Sequence, residues 1–113
     1  MQTWFVMVRA LPSWLSLTRP QRRALAEQHL YAPLRTFPGL HMRYFDAEAH
    51  SAVCSDIMVF QAAASATWAD FFEGLRDSPL FAQPLFELVH IVPAIENGYI
   101  DYEARHPAGT APS

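Results

Sequence analysis

The chain is predicted to fold as an α+β domain, a four-stranded antiparallel sheet with two helices on one face. Three observations predict this. Four runs rich in β-branched, aromatic and aliphatic residues, at 3–10, 40–46, 53–60 and 86–92, read as strands. The second and third follow one another across a short loop and so form a hairpin. Two helical segments fill the remaining gaps, giving the order β-α-β-β-α-β.

Each element has its own local reason. Residues 3–10 (Thr-Trp-Phe-Val-Met-Val-Arg-Ala) form the first strand, ended by Pro12-Ser13-Trp14. Thr18 is an N-cap and Pro20 sits in the first helical turn, where a missing N–H costs nothing. The helix is expected over 19–34, with Leu25, Leu30 and Leu34 apolar and Pro33 tightening or ending its last turn. Phe37-Pro38-Gly39 makes a turn into the hairpin. Ser65 is the next N-cap candidate. Behind it Trp68, Phe71, Phe72 and Leu75 fall at i, i+3, i+4 and i+7, the strongest amphipathic signal in the chain. Asp77-Ser78-Pro79 stops that helix, residues 80–85 form a loop with room for a short turn of helix, and 86–92 make the fourth strand. This is the ferredoxin-like arrangement. One domain over 1–104 and a flexible tail over 105–113 are expected.

Composition narrows the function. Of 113 residues, 51% are hydrophobic and only 17% charged, an excess of apolar surface that points to burial against a second copy. All eight cations are arginines, and the formal net charge is −3. Without a basic cluster to displace counterions, nucleic-acid binding is disfavoured. A single cysteine excludes an intrachain disulfide and fits a reducing cytoplasm. The apolar start of the chain lacks a positive n-region, holds Arg9 and is broken by Pro12, so it reads as strand and loop rather than a signal peptide. No membrane span is expected.

The strands carry ionisable residues where apolar ones are the rule. With Glu48-Ala49-His50-Ser51 as the hairpin loop, Phe45 is expected opposite Cys54 and Arg43 opposite Asp56. Alternation then puts Trp4, Val6 and Val8 under the helices with Ile57, Val59, Val89 and Ile91. The free face receives Arg9, Arg43, Asp56 and His90 among Phe5, Met7, Phe45, Met58, Phe60 and Phe86. That mixture of apolar wall and few polar anchors is the composition of a ligand cavity. Arg43 with Asp56 reads either as a ligand anchor or as a structural cross-strand ion pair. His90 reads either as a satisfied core histidine or as a general acid or base. Cys54 reads as a small packing residue, and Trp14 as a cap on the cavity mouth or a staple between loop and helix. Asp46, Glu48 and His50 lack metal-ligand spacing, so no metal site is expected.

The runs Arg43-Tyr44-Phe45-Asp46-Ala47-Glu48-Ala49, Cys54-Ser55-Asp56, Leu75-Arg76-Asp77-Ser78-Pro79 and Pro93-Ala94-Ile95-Glu96-Asn97-Gly98-Tyr99, with Pro12-Ser13-Trp14-Leu15, resemble the darcynin family over nearly the whole chain. The resemblance implies a small bacterial protein without an established activity, and therefore supplies no catalytic residues. Its fold is similar to the dimeric α+β barrel group, whose members include cofactor-free monooxygenases, polyketide cyclases, lactone isomerases and haem enzymes. Fold alone does not fix function.

Two functional readings follow. In the first, a homodimer binds one small aromatic or carboxylate-bearing molecule per protomer and acts, if it is an enzyme, without a cofactor as a monooxygenase, cyclase or isomerase. His90 and Asp56 are then the catalytic candidates, with Arg9, Arg43, Phe45, Met58 and Trp14 as ligand-binding candidates. In the second, the protein is a non-catalytic homodimer whose apolar sheet face is the interface.

Overall fold

A computed structural model describes residues 1–107. Its sheet runs β2-β3-β1-β4, every neighbouring pair antiparallel, from β1 (Gln2–Ala10), β2 (His41–Asp46), β3 (Asp56–Ala62) and β4 (Phe86–Ile95). The ferredoxin-like α+β fold is therefore the fold of the chain. Residues 108–113, most of the expected tail, lie outside the described residues. Arg105 closes a helix, and the His106 ring stacks on Tyr102 at 4.4 Å.

The first helical region begins as expected. After the single turn α1 (Pro12–Leu15), Thr18 caps α2 (Arg19–Ala26) with a reciprocal capping box. The Gln21 N–H donates to Thr18 Oγ1 at 3.3 Å, and the Thr18 N–H donates to Gln21 Oε1 at 2.9 Å. The helix then widens into a π-helical turn at Glu27–Tyr31 before resuming as α3 (Ala32–Arg35). Pro33 accounts for the widening: in a regular α-helix its ring would meet the carbonyl four residues back, and it has no N–H to give.

α4 (Ser65–Asp77) buries Trp68, Phe71, Phe72 and Leu75, the stripe its spacing predicts. These side chains meet Trp4 and Phe60 of the sheet in a continuous aromatic core. Trp4 and Trp68 pack edge to face at 5.1 Å, and Phe60 stacks on Trp68 at 5.8 Å. A further turn, α5 (Pro79–Ala82), is capped by the Ser78 hydroxyl and buries Leu80.

The hairpin departs from its predicted register. Arg43 lies opposite Val59, Phe45 opposite Ile57, and Asp56 opposite Asp46. The shift is three residues. An odd shift turns β3 over, because side chains alternate faces. Met58, Phe60 and Ala62 thus face the helices and are buried, while Ile57 and Val59 face the open side. Two features set this register. Asp46 ends β2 by accepting the Glu48 N–H at 3.0 Å, and the loop extends to Ser55. Ser55 is then claimed by β1: its N–H donates to the Val8 carbonyl at 2.9 Å, and its hydroxyl accepts the Ala10 N–H at 2.7 Å.

β4 also runs further than predicted, through Pro93 to Ile95. It is an edge strand, where a missing ladder donor is tolerated. A bulge opposite Met7 and Val8 accommodates Val89. Asn97, at φ 52°, then turns the chain into α6 (Gly98–Arg105), an element the polar and aromatic run did not announce. α6 buries none of its residues.

Candidate functional site

A cavity of about 530 Å³ opens between the sheet and the helices. The sheet contributes Val8, Met58 and Phe86 to its wall, and the helices contribute Leu30, Leu75 and Leu80. α1 places Trp14 over the cavity, its ring 4.7 Å from that of Phe86. Five polar side chains interrupt this wall: Arg22 and Arg23 from α2, Glu27 and Tyr31 from the π-helical turn, and Tyr44 from β2. The proportions are those of a small-molecule site, mostly apolar with a few convergent polar groups. The π-helical turn that Pro33 requires is also what carries Glu27, Leu30 and Tyr31 into the wall.

The charges do not cancel in pairs. Glu27 is already engaged by Arg35 in a hydrogen-bonded ion pair. Arg22 is anchored by one end only: its Nη2 donates to the Leu15 carbonyl at 2.8 Å, while its buried Nε–H has no acceptor among the described residues. Arg23 forms no ion pair among the described residues.

A second polar corner lies where β2 and β3 end. Asp56 accepts the Ser55 hydroxyl at 2.8 Å and a hydrogen bond from the Tyr44 hydroxyl. Desolvation raises the Asp56 carboxyl above the usual carboxylate range. The two hydrogen bonds oppose this, and repulsion from Asp46 and Glu48 adds to it. Tyr44 is still 42% exposed, yet desolvation, and then the charge of Asp56, push its phenol well above its ordinary value. Two carboxyl groups directly opposed across a ladder are unfavourable in a purely structural role.

The residues singled out from the sequence divide between two faces. Met58 and Trp14 line the cavity, and Asp56 lies on the same, helix-facing side of the sheet. The expectation that Met58, Phe60, Phe86 and Asp56 share the open face is corrected by the register described above. His90 is paired with Met7 on the open face and is exposed, so the sheet separates it from Asp56. Arg43 also lies on the open face, its guanidinium 5.2 Å from the Phe45 ring centre, and makes no ion pair with Asp56. Arg9 reaches Glu87 at 3.1 Å and the Val53 carbonyl at 2.7 Å, an exposed bridge at the end of the sheet. Cys54 is buried as a free thiol.

Arg22, Arg23, Tyr31 and Tyr44 were not anticipated. The signal for Arg22 was present: Arg22, Ala26 and Leu30 recur at i, i+4 and i+8, so a cation shares the apolar face of its helix. Alternation with Arg43 already puts Tyr44 on the helix-facing side of β2; what the register hid is its neighbour Asp56, which the predicted pairing assigns to the other face. Among the described residues no three His, Cys, Asp or Glu side chains gather into a metal site. Among the described residues neither histidine nor cysteine lines the cavity, so the imidazole and thiolate ligands common on haem iron are missing from that wall.

Comparison with known proteins gives a family and a fold. A family model described as Darcynin, domain of unknown function, matches residues 1–112. The protein named Darcynin from Chromobacterium violaceum is 46% identical over 69 residues, covering 61% of this chain and 87% of that one. Darcynin 1 of Acinetobacter baumannii is 36% identical over 90 residues, covering 80% of this chain and 100% of the relative. Among solved structures, a mutant chlorite dismutase from Candidatus Nitrospira defluvii superposes with a TM-score of 0.71 at 8% identity, covering 97% of this chain and 49% of that chain. The dimeric chlorite dismutase from Nitrobacter winogradskyi gives 0.64 at 18% identity, covering 81% and 54%. At these identities the likeness is one of fold, and this chain spans about half of each of those proteins.

Proposed function

The chain belongs to the darcynin family, and we propose that it is a homodimeric small-molecule-binding protein that takes one aromatic or carboxylate-bearing ligand per protomer in the helix-side cavity. The observation that carries this reading is the cavity itself: about 530 Å³, walled by buried aliphatic and aromatic side chains and entered by two arginines and two tyrosines. Trp14 and Met58 pack against the ligand. Arg9, Arg43, Phe45 and His90 belong to the other side of the sheet, where Phe5, Phe45 and Val92 stand exposed. That side is proposed as the homodimer interface, by analogy with the dimeric Nitrobacter protein of the same fold.

If the protein is an enzyme, its reaction is cofactor-independent, of the monooxygenase, cyclase or isomerase type, and Asp56 with Tyr44 handles protons. A desolvated carboxyl hydrogen-bonded to a phenol is suited to moving a proton between water and a carbon acid. The alternative, a non-catalytic homodimer, is favoured by the exposed Phe5, Phe45 and Val92 of the open face and gives the cavity no role.

Native mass spectrometry of protein purified under mild conditions tests the proposal. A dimer carrying extra small-molecule mass on each chain is expected. A stable, ligand-free monomer at micromolar concentration overturns it, and a ligand-free dimer supports the alternative.

A further inference from the structure

Resting on the cavity reading above, we infer that the ligand is bound as an anion, its carboxylate or like oxyanion held by the Nε–H of Arg22. Three observations converge on this atom. The Arg22 side chain lines the cavity, its Nε is buried and lacks an acceptor among the described residues, and its guanidinium is held through Nη2 on the Leu15 carbonyl at 2.8 Å. A buried guanidinium N–H without an acceptor is unfavourable, and a charged acceptor returns more than a neutral one. The anchoring matters as well. A guanidinium already oriented loses little freedom when a ligand arrives, and its planar fork matches two oxygens of one carboxylate.

The surrounding charge favours the same occupant. Glu27, the acidic residue in the cavity wall, is paired with Arg35 and so does not neutralise Arg22. Arg23 adds a second cation to the same wall and forms no ion pair among the described residues. In a chain of formal net charge −3, this is a local excess of positive charge facing an apolar chamber. A neutral ligand of the same shape fills the chamber but leaves the Nε–H unpaired. An anion with an apolar body meets both demands.

Two fluorescent probes separate these cases: 1-anilinonaphthalene-8-sulfonate, which is anionic, and N-phenyl-1-naphthylamine, which has the same ring skeleton without the sulfonate. Each is titrated into the full-length protein, Arg22→Met, Arg22→Lys and Ala26→Phe, with circular dichroism as the folding control. Ala26 lies in the cavity wall, so Ala26→Phe is expected to weaken both probes and so place them in the cavity. Arg22→Met is expected to weaken the anionic probe by about 10- to 100-fold and the neutral one by less than about twofold, as the loss of a charged hydrogen bond requires. Arg22→Lys, which keeps the charge without the fork, is expected to fall between. If both probes bind and Arg22→Met changes neither, or weakens both equally, the anion site is overturned and the cavity reading survives. If the wild-type protein binds neither probe, or binds both regardless of Ala26→Phe, the cavity reading itself fails. If Arg22→Met does not fold, Arg22→Lys decides: equal affinity for the anionic probe in Lys and wild type overturns the role of the Nε–H.

Discussion

The two faces of this sheet come from the same alternating strands and differ in what completes them. On the helix side Val6, Phe60 and Ala62 are fully buried, and an aromatic network ties β1 and β3 to α4. Packing there leaves a cavity beside the π-helical turn and α1. On the other side Phe5, Phe45 and Val92 are exposed around Arg43 and His90, and the hydrogen-bonded polar pairs lie at the margins: Arg9 with Glu87 at one end, and Gln61 with Thr3 and Glu96 at the other. An apolar chamber that the chain completes by itself is suited to a ligand. An apolar plane that the chain leaves uncovered is suited to a partner.

The largest expected effect lies in the closed face. Phe60→Ala removes a side chain with 0% exposure from between Trp68 and Phe71, and is expected to destabilise the fold by about 3–5 kcal/mol in urea unfolding. A loss under about 1 kcal/mol would mean that the aromatic layer is not the core. Phe5→Glu, at the middle of the open face beside Val59 and Val92, places its charge on a residue already 37% exposed. It is expected to leave the protomer folded and convert the proposed dimer to monomer in sedimentation velocity. A dimer that persists puts the interface elsewhere.

Much of this division was legible in the chain. The helical stripe from Trp68 to Leu75 and the faces of β1 follow from spacing alone, because one strong period leaves one solution. The face of β3 did not follow. Both of its residue sets are apolar, so hydrophobicity does not choose between Met58 with Phe60 and Ile57 with Val59. The choice is made by Ser55 bonding to β1, a long-range contact that local spacing does not encode, together with the local turn by which Asp46 closes β2. Arg43 and Asp56 therefore lie on opposite faces of the sheet instead of forming the cross-strand pair that the hairpin spacing predicts. α6 was missed for a related reason: it buries nothing, so no stripe marks it.

The titration of Asp56 gives a subtler contrast between the two faces. Its carboxyl is raised in the folded protein, so the native state binds the proton more tightly than the unfolded chain. Stability is then expected to decline as pH rises from about 4, the ordinary unfolded value, through the raised native value, and to level off above it. Asp56→Asn is expected to flatten that decline in urea midpoints measured against pH. An unchanged profile would assign the decline to another group. The smallest effect belongs to Glu87→Ala at the exposed Arg9 bridge, expected within about 0–1 kcal/mol and weaker still at high salt.

Ligand and partner are proposed to occupy opposite faces of one sheet. Titration of Phe5→Glu with 1-anilinonaphthalene-8-sulfonate, with its sedimentation followed in the same buffer, tests that claim most directly. The expected result is a monomer that binds one probe per chain with an affinity within about twofold of that of the wild-type protein. A monomer that has lost the probe would contradict it and place the binding site at the interface.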